Sequence, residues 1–125
     1  MSYTIKYKVV SRKYPNKTYS SYTAFWDDHR DQVGDPNNII NDVNTLEISD
    51  LKTPVNLNAR YIAEGKLISD SSTLSDDGTY VIYTKVYKDE QTLEDYLSDK
   101  SSLTSDSGET ELDVVEYSIL ETSTD

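Results

Sequence analysis

The chain has 125 residues, no cysteine and a formal net charge of −11 at pH 7. These numbers exclude disulfides, thiolate catalysis and cysteine-ligated metals, and they argue against nucleic-acid binding, because phosphate recognition needs a basic surface. The negative charge also disfavours anionic membranes, and no apolar run is long enough to span a bilayer.

We interpret residues 1–125 as a single domain, because this length supplies one ordinary core. Met1-Ser2-Tyr3 leads directly into a strand pattern, so we expect neither a secretory signal peptide nor a membrane anchor. Only 35% of the residues are hydrophobic, so much of the core must be filled by the 11 tyrosines.

The N-terminal half predicts one strand and one helix. Apolar residues alternate along the first strand, on one face of which lie Tyr3, Ile5, Tyr7 and Val9. Residues 11–19 predict a loop around Tyr14-Pro15-Asn16. Residues 22–33 predict a helix, because aromatic residues recur on one helical face and Gly34 favours a stop.

Residues 36–58 predict an irregular insertion after this helix. Asp35-Pro36 resembles an N-cap followed by proline at the first helical position, which favours a short second helix. Residues 46–48 are compatible with a brief strand, and Pro54 interrupts whatever precedes it.

The second half begins with a predicted hairpin in residues 61–87. Asp77-Gly78 between two apolar runs favours a two-residue type I′ turn. That turn sets these cross-strand pairs: Leu74 with Val81, Asp70 with Lys85, and Ile68 with Tyr87. The register opposes apolar to apolar side chains and acid to base, so it is consistent with the pattern.

A helix and a last strand follow the hairpin. Asp89 is a preferred N-cap residue, and the apolar stripe of the helix is formed by Leu93, Tyr96 and Leu97. Residues 112–120 predict the last strand, and residues 121–125 a polar tail. The whole order predicts an α+β fold of the ferredoxin-like βαββαβ type. Its antiparallel sheet would carry helices on one face, with an insertion after the first helix.

The second strand of the hairpin is apolar on both faces, which suggests that a second subunit covers the sheet. One of its faces carries Val81, Tyr83 and Tyr87, and the other Tyr80, Ile82 and Val86. Lys6 and Lys8 on the first strand indicate that such a contact is partly polar. Alternating tyrosines are therefore interface candidates, with core filling as the equal alternative: Tyr3, Tyr7, Tyr83, Tyr87 and Tyr117.

Two further sets of residues are candidates for a site on the 22–33 helix. Tyr22, Trp26 and His29 could line a pocket, although aromatic residues on one helix face more often belong to the core. Asp27 and Asp31 lie one helical turn apart and are weak candidates for a metal site with His29. A solvated helix face is the simpler interpretation of these acids. The sequence has no phosphate-binding loop or nucleophile motif, and we expect no cofactor.

The segment from Ser75-Asp-Asp-Gly to Leu93-Glu-Asp-Tyr-Leu97 resembles the hairpin and helix of dimeric α/β-barrel proteins, such as the antibiotic biosynthesis monooxygenase group. The resemblance implies a dimer and, as the alternative function, a small enzyme or ligand-binding protein with its pocket beside Trp26 and His29. Haem-degrading members use an asparagine on the first strand, a tryptophan, and a histidine on the second helix. This chain has none of these at the matching positions, so those roles are not carried over.

The composition gives a second resemblance. An acidic, cysteine-free chain rich in Tyr, Ser, Asp and Thr, with a Leu74-Ser-Asp-Asp-Gly hairpin, resembles small proteins of tailed phages, particularly those of marine cyanobacterial hosts. Our leading expectation is a non-catalytic structural module that self-associates through its sheet face. The resemblance implies a phage virion or accessory protein, located in the virion or the host cytoplasm, with copies of itself or other virion proteins as partners.

Overall fold

The computed structural model describes all residues from Met1 to Asp125. Its four strands are β1 (Tyr3–Ser11), β2 (Leu67–Leu74), β3 (Val81–Tyr87) and β4 (Val115–Thr124). They form one open sheet in the order β2-β3-β1-β4, and every neighbouring pair is antiparallel. The protein therefore has an α+β fold with a four-stranded antiparallel sheet.

Five helices connect the strands. They are α1 (Tyr22–Asp27), α2 (Arg30–Val33), α3 (Pro54–Ala63), α4 (Glu90–Lys100) and α5 (Glu111–Val114). Two short 3-10 turns, Val43–Thr45 and Ile48–Leu51, precede α3. None of the helices is both long and apolar enough to cross a membrane.

One face of the sheet carries the helices, and we call it the covered face. It includes Ile5, Tyr7 and Val9 of β1, which are buried while their neighbours along the strand are only half-buried. Side-chain hydrogen bonds join the helices to the sheet on this face. They connect Ser11 with His29 before α2, Tyr83 with Asn58 of α3, Lys85 with Tyr96 of α4, and Tyr117 with Glu111 of α5. The core therefore lies between the helices and this face.

The opposite side of the sheet has no helix against it, and we call it the uncovered face. Side chains alternate along a strand, so it is formed by the residues between the buried ones. Its central residues are Thr4, Lys6, Lys8 and Val10 of β1, with Ile82, Thr84 and Val86 of β3. All seven are half-buried by their neighbours within the sheet.

Two of the three predicted cross-strand pairs of the hairpin are confirmed, whereas the third pair and the turn differ from the prediction. Leu74 lies opposite Val81 and Asp70 opposite Lys85, whereas a bulge at Ile68 places Leu67 opposite Tyr87. The connection is a longer loop in which the Gly78 N–H donates to the Ser75 carbonyl over 3.0 Å. Longer hairpin loops are commonly built on such a turn, and here the register is the same for both loop lengths.

The prediction of a single helix over residues 22–33 is wrong, because the segment divides into α1 and α2. His29 has φ −123° and ψ 18°, so the backbone leaves the helical conformation at this residue. Its ring turns into the core, where the Phe25 carbonyl lies 2.7 Å from Nδ1 and the Ser11 hydroxyl 2.7 Å from Nε2. These buried contacts outweigh the helical propensity of the segment.

The region predicted as an irregular insertion, residues 36–58, contains the start of α3, the longest helix in this part of the fold. Residues 36–42 form turns rather than a short helix, and residues 46–48 enter a 3-10 turn rather than a strand. Helix α3 begins at Pro54, after Thr53, and extends through Tyr61, where the sequence predicted the start of a strand. Two buried asparagines on its inward side, Asn56 and Asn58, interrupt the apolar pattern by which a helix is predicted from the sequence.

After the hairpin, the chain departs from the prediction only near its end. Asp89 caps α4, since its carboxylate accepts from the Thr92 N–H over 2.8 Å. The last strand begins three residues later than predicted, because residues 111–114 form α5. The predicted polar tail is part of β4, with Thr124 opposite Tyr3 and the Asp125 N–H bonded to the Ser2 carbonyl.

We predict that Gly78→Ala destabilises the protein more than the matched substitution Gly65→Ala. Both glycines have a positive φ, 75° and 72°, so alanine costs about 1 kcal/mol at either position for backbone strain alone. A Cβ at Gly78 would lie 2.6 Å from the Tyr19 carbonyl oxygen, whereas nothing lies within 4 Å of one at Gly65. The clash should add roughly 1–3 kcal/mol, measured by denaturant unfolding. Equal losses would contradict the packing of residue 19 against the hairpin loop.

Candidate functional site

The five interface-candidate tyrosines lie on the covered face, beneath the helices. Tyr7 and Tyr87 are buried, and Tyr7 packs edge-on against Tyr117 with ring centroids 5.1 Å apart. Tyr3 and Tyr83 share the same face, since they lie opposite Tyr87 and Tyr7 in the β1–β3 ladder. The structure therefore places these tyrosines under the helices, and not on the uncovered face, where a contact between two sheets would need them. Strand alternation puts them on the side of Ile5 and Val9.

The pocket candidates on the 22–33 segment have three different environments. His29 is fully buried, and burial lowers the pKa of its imidazole below the ordinary range. Trp26 packs against Phe25 and Tyr83, whereas Tyr22 is exposed to solvent. Both ring nitrogens of His29 are within hydrogen-bonding distance of protein groups, so a ligand cannot reach it without opening the core.

Two of the three acidic residues on this segment, Asp27 and Asp28, are held in ion pairs at the surface. Asp27 pairs with Arg30, and Asp28 accepts from Lys17 over 2.5 Å. The hydrogen bond from Lys17 holds the pKa of the Asp28 carboxyl below its usual range. No group of three or more His, Asp or Glu side chains is arranged to hold a metal ion, and Asp31 joins no such group.

A buried polar network crosses the core between α3, α4 and the sheet. The Lys85 ammonium donates to Asn58 Oδ1 and to the Tyr96 hydroxyl, each over 3.0 Å. The Asn58 amide group donates to Asp70 Oδ2 over 3.3 Å, and the Tyr83 hydroxyl donates to the same oxygen over 3.0 Å. The network links one cation, one carboxylate, an amide and two phenols, and all but the partly exposed Asp70 and Tyr83 are buried.

Lys85 is a buried base with a strongly lowered pKa. It is 2% exposed, and burial lowers the pKa of its ammonium from 10.5 to about 8. The Asp70 carboxylate opposes this shift, and the ring centroids of Tyr96 and Tyr83 lie 4.2 and 4.9 Å from Nζ. Strongly shifted amines occur at catalytic sites, but this one is almost fully withdrawn from solvent and is bonded to the core residues Asn58 and Tyr96.

A groove of about 690 Å³ opens between α4, α5 and β4 on the covered face. Helix α4 does not extend over the outer part of β4, which leaves Ile119 64% exposed and Leu97 48% exposed. Apolar and aromatic side chains form the walls of the groove: Tyr7, Pro54, Leu97, Leu103, Leu112, Tyr117 and Ile119. Its volume falls in the range of small-molecule sites, roughly 300–1,000 Å³.

A buried ion pair forms part of the groove lining. Lys100 contacts Glu111 with both side chains almost fully withdrawn from solvent. The Tyr117 hydroxyl donates to the second oxygen of Glu111 over 2.9 Å, and the Lys100 ammonium lies 4.1 Å from the Tyr117 ring centroid. The negative charge of Glu111 is balanced by the Lys100 ammonium and the Tyr117 hydroxyl, so this part of the lining carries no net charge.

Sequence reasoning did not find the groove or the Lys85 network. The groove needs α5 and the C-terminal half of α4 to meet β4, which is a tertiary event. One signal was available for the network, namely the pairing of Asp70 with Lys85 in the predicted hairpin. Thr53-Pro54 also had the signature of a helix start, which would have placed Asn58 on α3.

Comparison with protein-family models, with curated proteins and with solved structures finds no match to this chain.

We predict that the stability of the wild type rises relative to that of Lys85→Met between pH 7 and pH 10. The folded state holds the Lys85 proton less tightly than the unfolded state, with a pKa of about 8 against 10.5. The penalty for a buried charge is complete below pH 8 and is relieved between pH 8 and 10.5. The difference in unfolding free energy should change by about 2 kcal/mol in favour of the wild type.

The measurement is urea unfolding of both proteins at pH 7, 8, 9 and 10. Lys88→Met is the matched control, because Lys88 is exposed and its difference from the wild type should not vary over this range. Higher pH is avoided, since burial raises the pKa of tyrosines such as Tyr7, to about 12, and unfolded phenols ionise from about pH 10. A pH-independent difference for Lys85→Met would contradict the buried position of this lysine.

Proposed function

We propose that the protein is a non-catalytic interaction module that self-associates through the uncovered face of its sheet. The observation that carries this proposal is the one-sided arrangement of the fold, in which five helices lie on one face and none on the other. The uncovered face carries three apolar side chains, Val10, Ile82 and Val86, between the polar residues Thr4, Lys6, Lys8 and Thr84. Covering these side chains with a second copy would remove them fully from water.

The charges on the uncovered face favour a symmetric pair. Lys6 and Lys8 lie on the central strand β1, and Glu116 and Glu121 on the neighbouring edge strand β4. A two-fold axis parallel to the strands and between β1 and β4 would place the lysines of one copy against the glutamates of the other. Isologous contacts need such self-complementarity, and hydroxyl groups of neighbouring serines and threonines can fill the rim.

The proposal of a non-catalytic role is supported by where the proton-transfer groups lie. The single histidine is sealed in the core and its ring nitrogens are occupied. Lys85, the only amine with a markedly lowered pKa, is equally inaccessible. The side chains best suited to acid–base work therefore do not meet a substrate in this structure.

The same proposal includes the ferredoxin-like assignment of the fold and a dimer of the α/β-barrel type. Its support is the strand order β2-β3-β1-β4, in which the first and third strands are central and the second and fourth lie at the edges. A helical crossover follows β1 and another follows β3, as a split βαβ arrangement requires. The acidic, tyrosine-rich composition supports placement among phage virion or accessory proteins, in the virion or the host cytoplasm.

We predict that light scattering coupled to size exclusion finds a dimer or larger ring at tens of micromolar protein. Each copy carries a charge of −11, so the experiment is run at low and at high salt, where repulsion between copies is screened. Ile82→Glu should weaken association about tenfold or more, because it buries a carboxylate in the contact.

Ile62→Glu is the matched control for this variant. Ile62 is 53% exposed on α3, on the opposite side of the sheet, and the substitution adds the same charge. Association should persist in the control at wild-type strength. A clean monomer at both salt concentrations, or equal weakening by the two variants, would overturn self-association through the uncovered face.

A further inference from the structure

We propose that the groove between α4, α5 and β4 binds an aliphatic carboxylate. This site lies mainly on the covered face, and it shares only the rim residue Glu116 with the surface proposed for self-association. The groove is concave and its walls are mainly apolar, with Leu97, Leu103, Leu112 and Ile119 available to a hydrocarbon chain. The exposed aliphatic residues Leu97, Leu112 and Ile119 all line it, so a bound chain would cover apolar surface that water now contacts.

The charges around the groove select an anionic head group. The chain as a whole has 12 basic and 23 acidic residues, yet the groove lining has three basic residues, Arg12, Lys52 and Lys100, and two acidic ones, Glu111 and Glu116. With Asp106, which pairs with Lys52 from just outside the lining, the groove has three basic and three acidic residues, so it is neutral within a strongly acidic protein. An anionic head group therefore meets less repulsion here than elsewhere on the surface and finds two exposed cations, whereas a cationic head group finds every carboxylate of the groove already paired.

The residues that would meet the head group are Arg12 and Lys52. Lys100 is already neutralised by its buried pair with Glu111. Arg12 pairs with Glu116 over 3.3 Å and Lys52 with Asp106 over 2.6 Å, but both pairs are solvent-exposed. Exposed ion pairs contribute little stability, so the arginine and the lysine can turn towards a ligand carboxylate at small cost.

The experiment is isothermal titration calorimetry of the full chain with dodecanoate below its micellar concentration. Dodecanol and dodecyltrimethylammonium are the comparison ligands, because they share the chain and differ in the head group. We expect dodecanoate to bind with one site per chain, dodecanol to bind several-fold more weakly, and the cationic ligand not to bind. Equal binding of all three ligands, or no binding of dodecanoate, would overturn the proposal.

Variants locate the site. Ile119→Glu should weaken dodecanoate binding about tenfold or more, whereas Leu120→Glu should leave it unchanged. The two residues are neighbours on β4 with similar exposure, 64% and 51%, but only Ile119 lines the groove. Leu112→Glu provides a second variant on α5 in case the strand substitution perturbs folding. Equal loss in Leu120→Glu would place the binding elsewhere and contradict the groove.

The head-group residues are tested by Lys52→Gln and Arg12→Gln. Each should weaken dodecanoate binding several-fold and leave dodecanol binding unchanged, whereas Lys88→Gln, a change at an exposed lysine outside the groove, should affect neither. Unchanged dodecanoate binding in both rim variants would overturn the assignment of the carboxylate to this end of the groove. The light-scattering mass of Ile82→Glu is a separate measurement, so failure of one proposal does not decide the other.

Discussion

The pairing of tyrosine hydroxyls with acceptors, in a core short of aliphatic residues, is the constraint on which this structure depends, and among the fully buried tyrosines the hydroxyl of Tyr87 is the exception without a partner. Donation runs from Tyr19 to Asp28, Tyr61 to Asp99, Tyr83 to Asp70, Tyr96 to Asn58, and Tyr117 to Glu111. Four of these five acceptors are carboxylates, so part of the acidic excess of the chain serves the interior. A buried hydroxyl without a partner costs about 1–3 kcal/mol, which explains why the phenols and the acids occur together.

This constraint also explains why the interior holds charged groups without presenting them to a substrate. Lys85 enters the core because Asn58 and Tyr96 supply oxygen acceptors, and Lys100 is withdrawn from water against Glu111. Each group is engaged by the packing that buries it. The surfaces left for recognition are then the uncovered face of the sheet and the groove beside β4, where the helices end short of the last strand.

Local signals predicted those parts of the fold in which neighbouring residues decide the conformation. Asp89 provides its own capping carboxylate, and the alternation of β2 and β3 fixes a register that a longer loop did not change. The prediction of one helix over residues 22–33 failed because His29 makes a buried contact with Ser11 of β1, and local helical propensity does not include such a contact. Helix α3 was missed because Asn56 bonds the Ile40 N–H and the Leu51 carbonyl, so a polar residue occupies an inward position.

The candidate sites also divide into features that local sequence patterns predict and features that only tertiary contacts create. Alternation correctly grouped the five tyrosines on one face but could not say which face the helices cover. The polar tail at residues 121–125 became a strand only because the start of β1 offers backbone partners, as in the bond from the Asp125 N–H to the Ser2 carbonyl. The sequence by itself determined the strand faces, the hairpin register and the cap of α4, because these depend on residues close in the chain. Tertiary structure alone decided the Lys85 network, the groove and the free side of the sheet, because each depends on segments that meet only when the core forms.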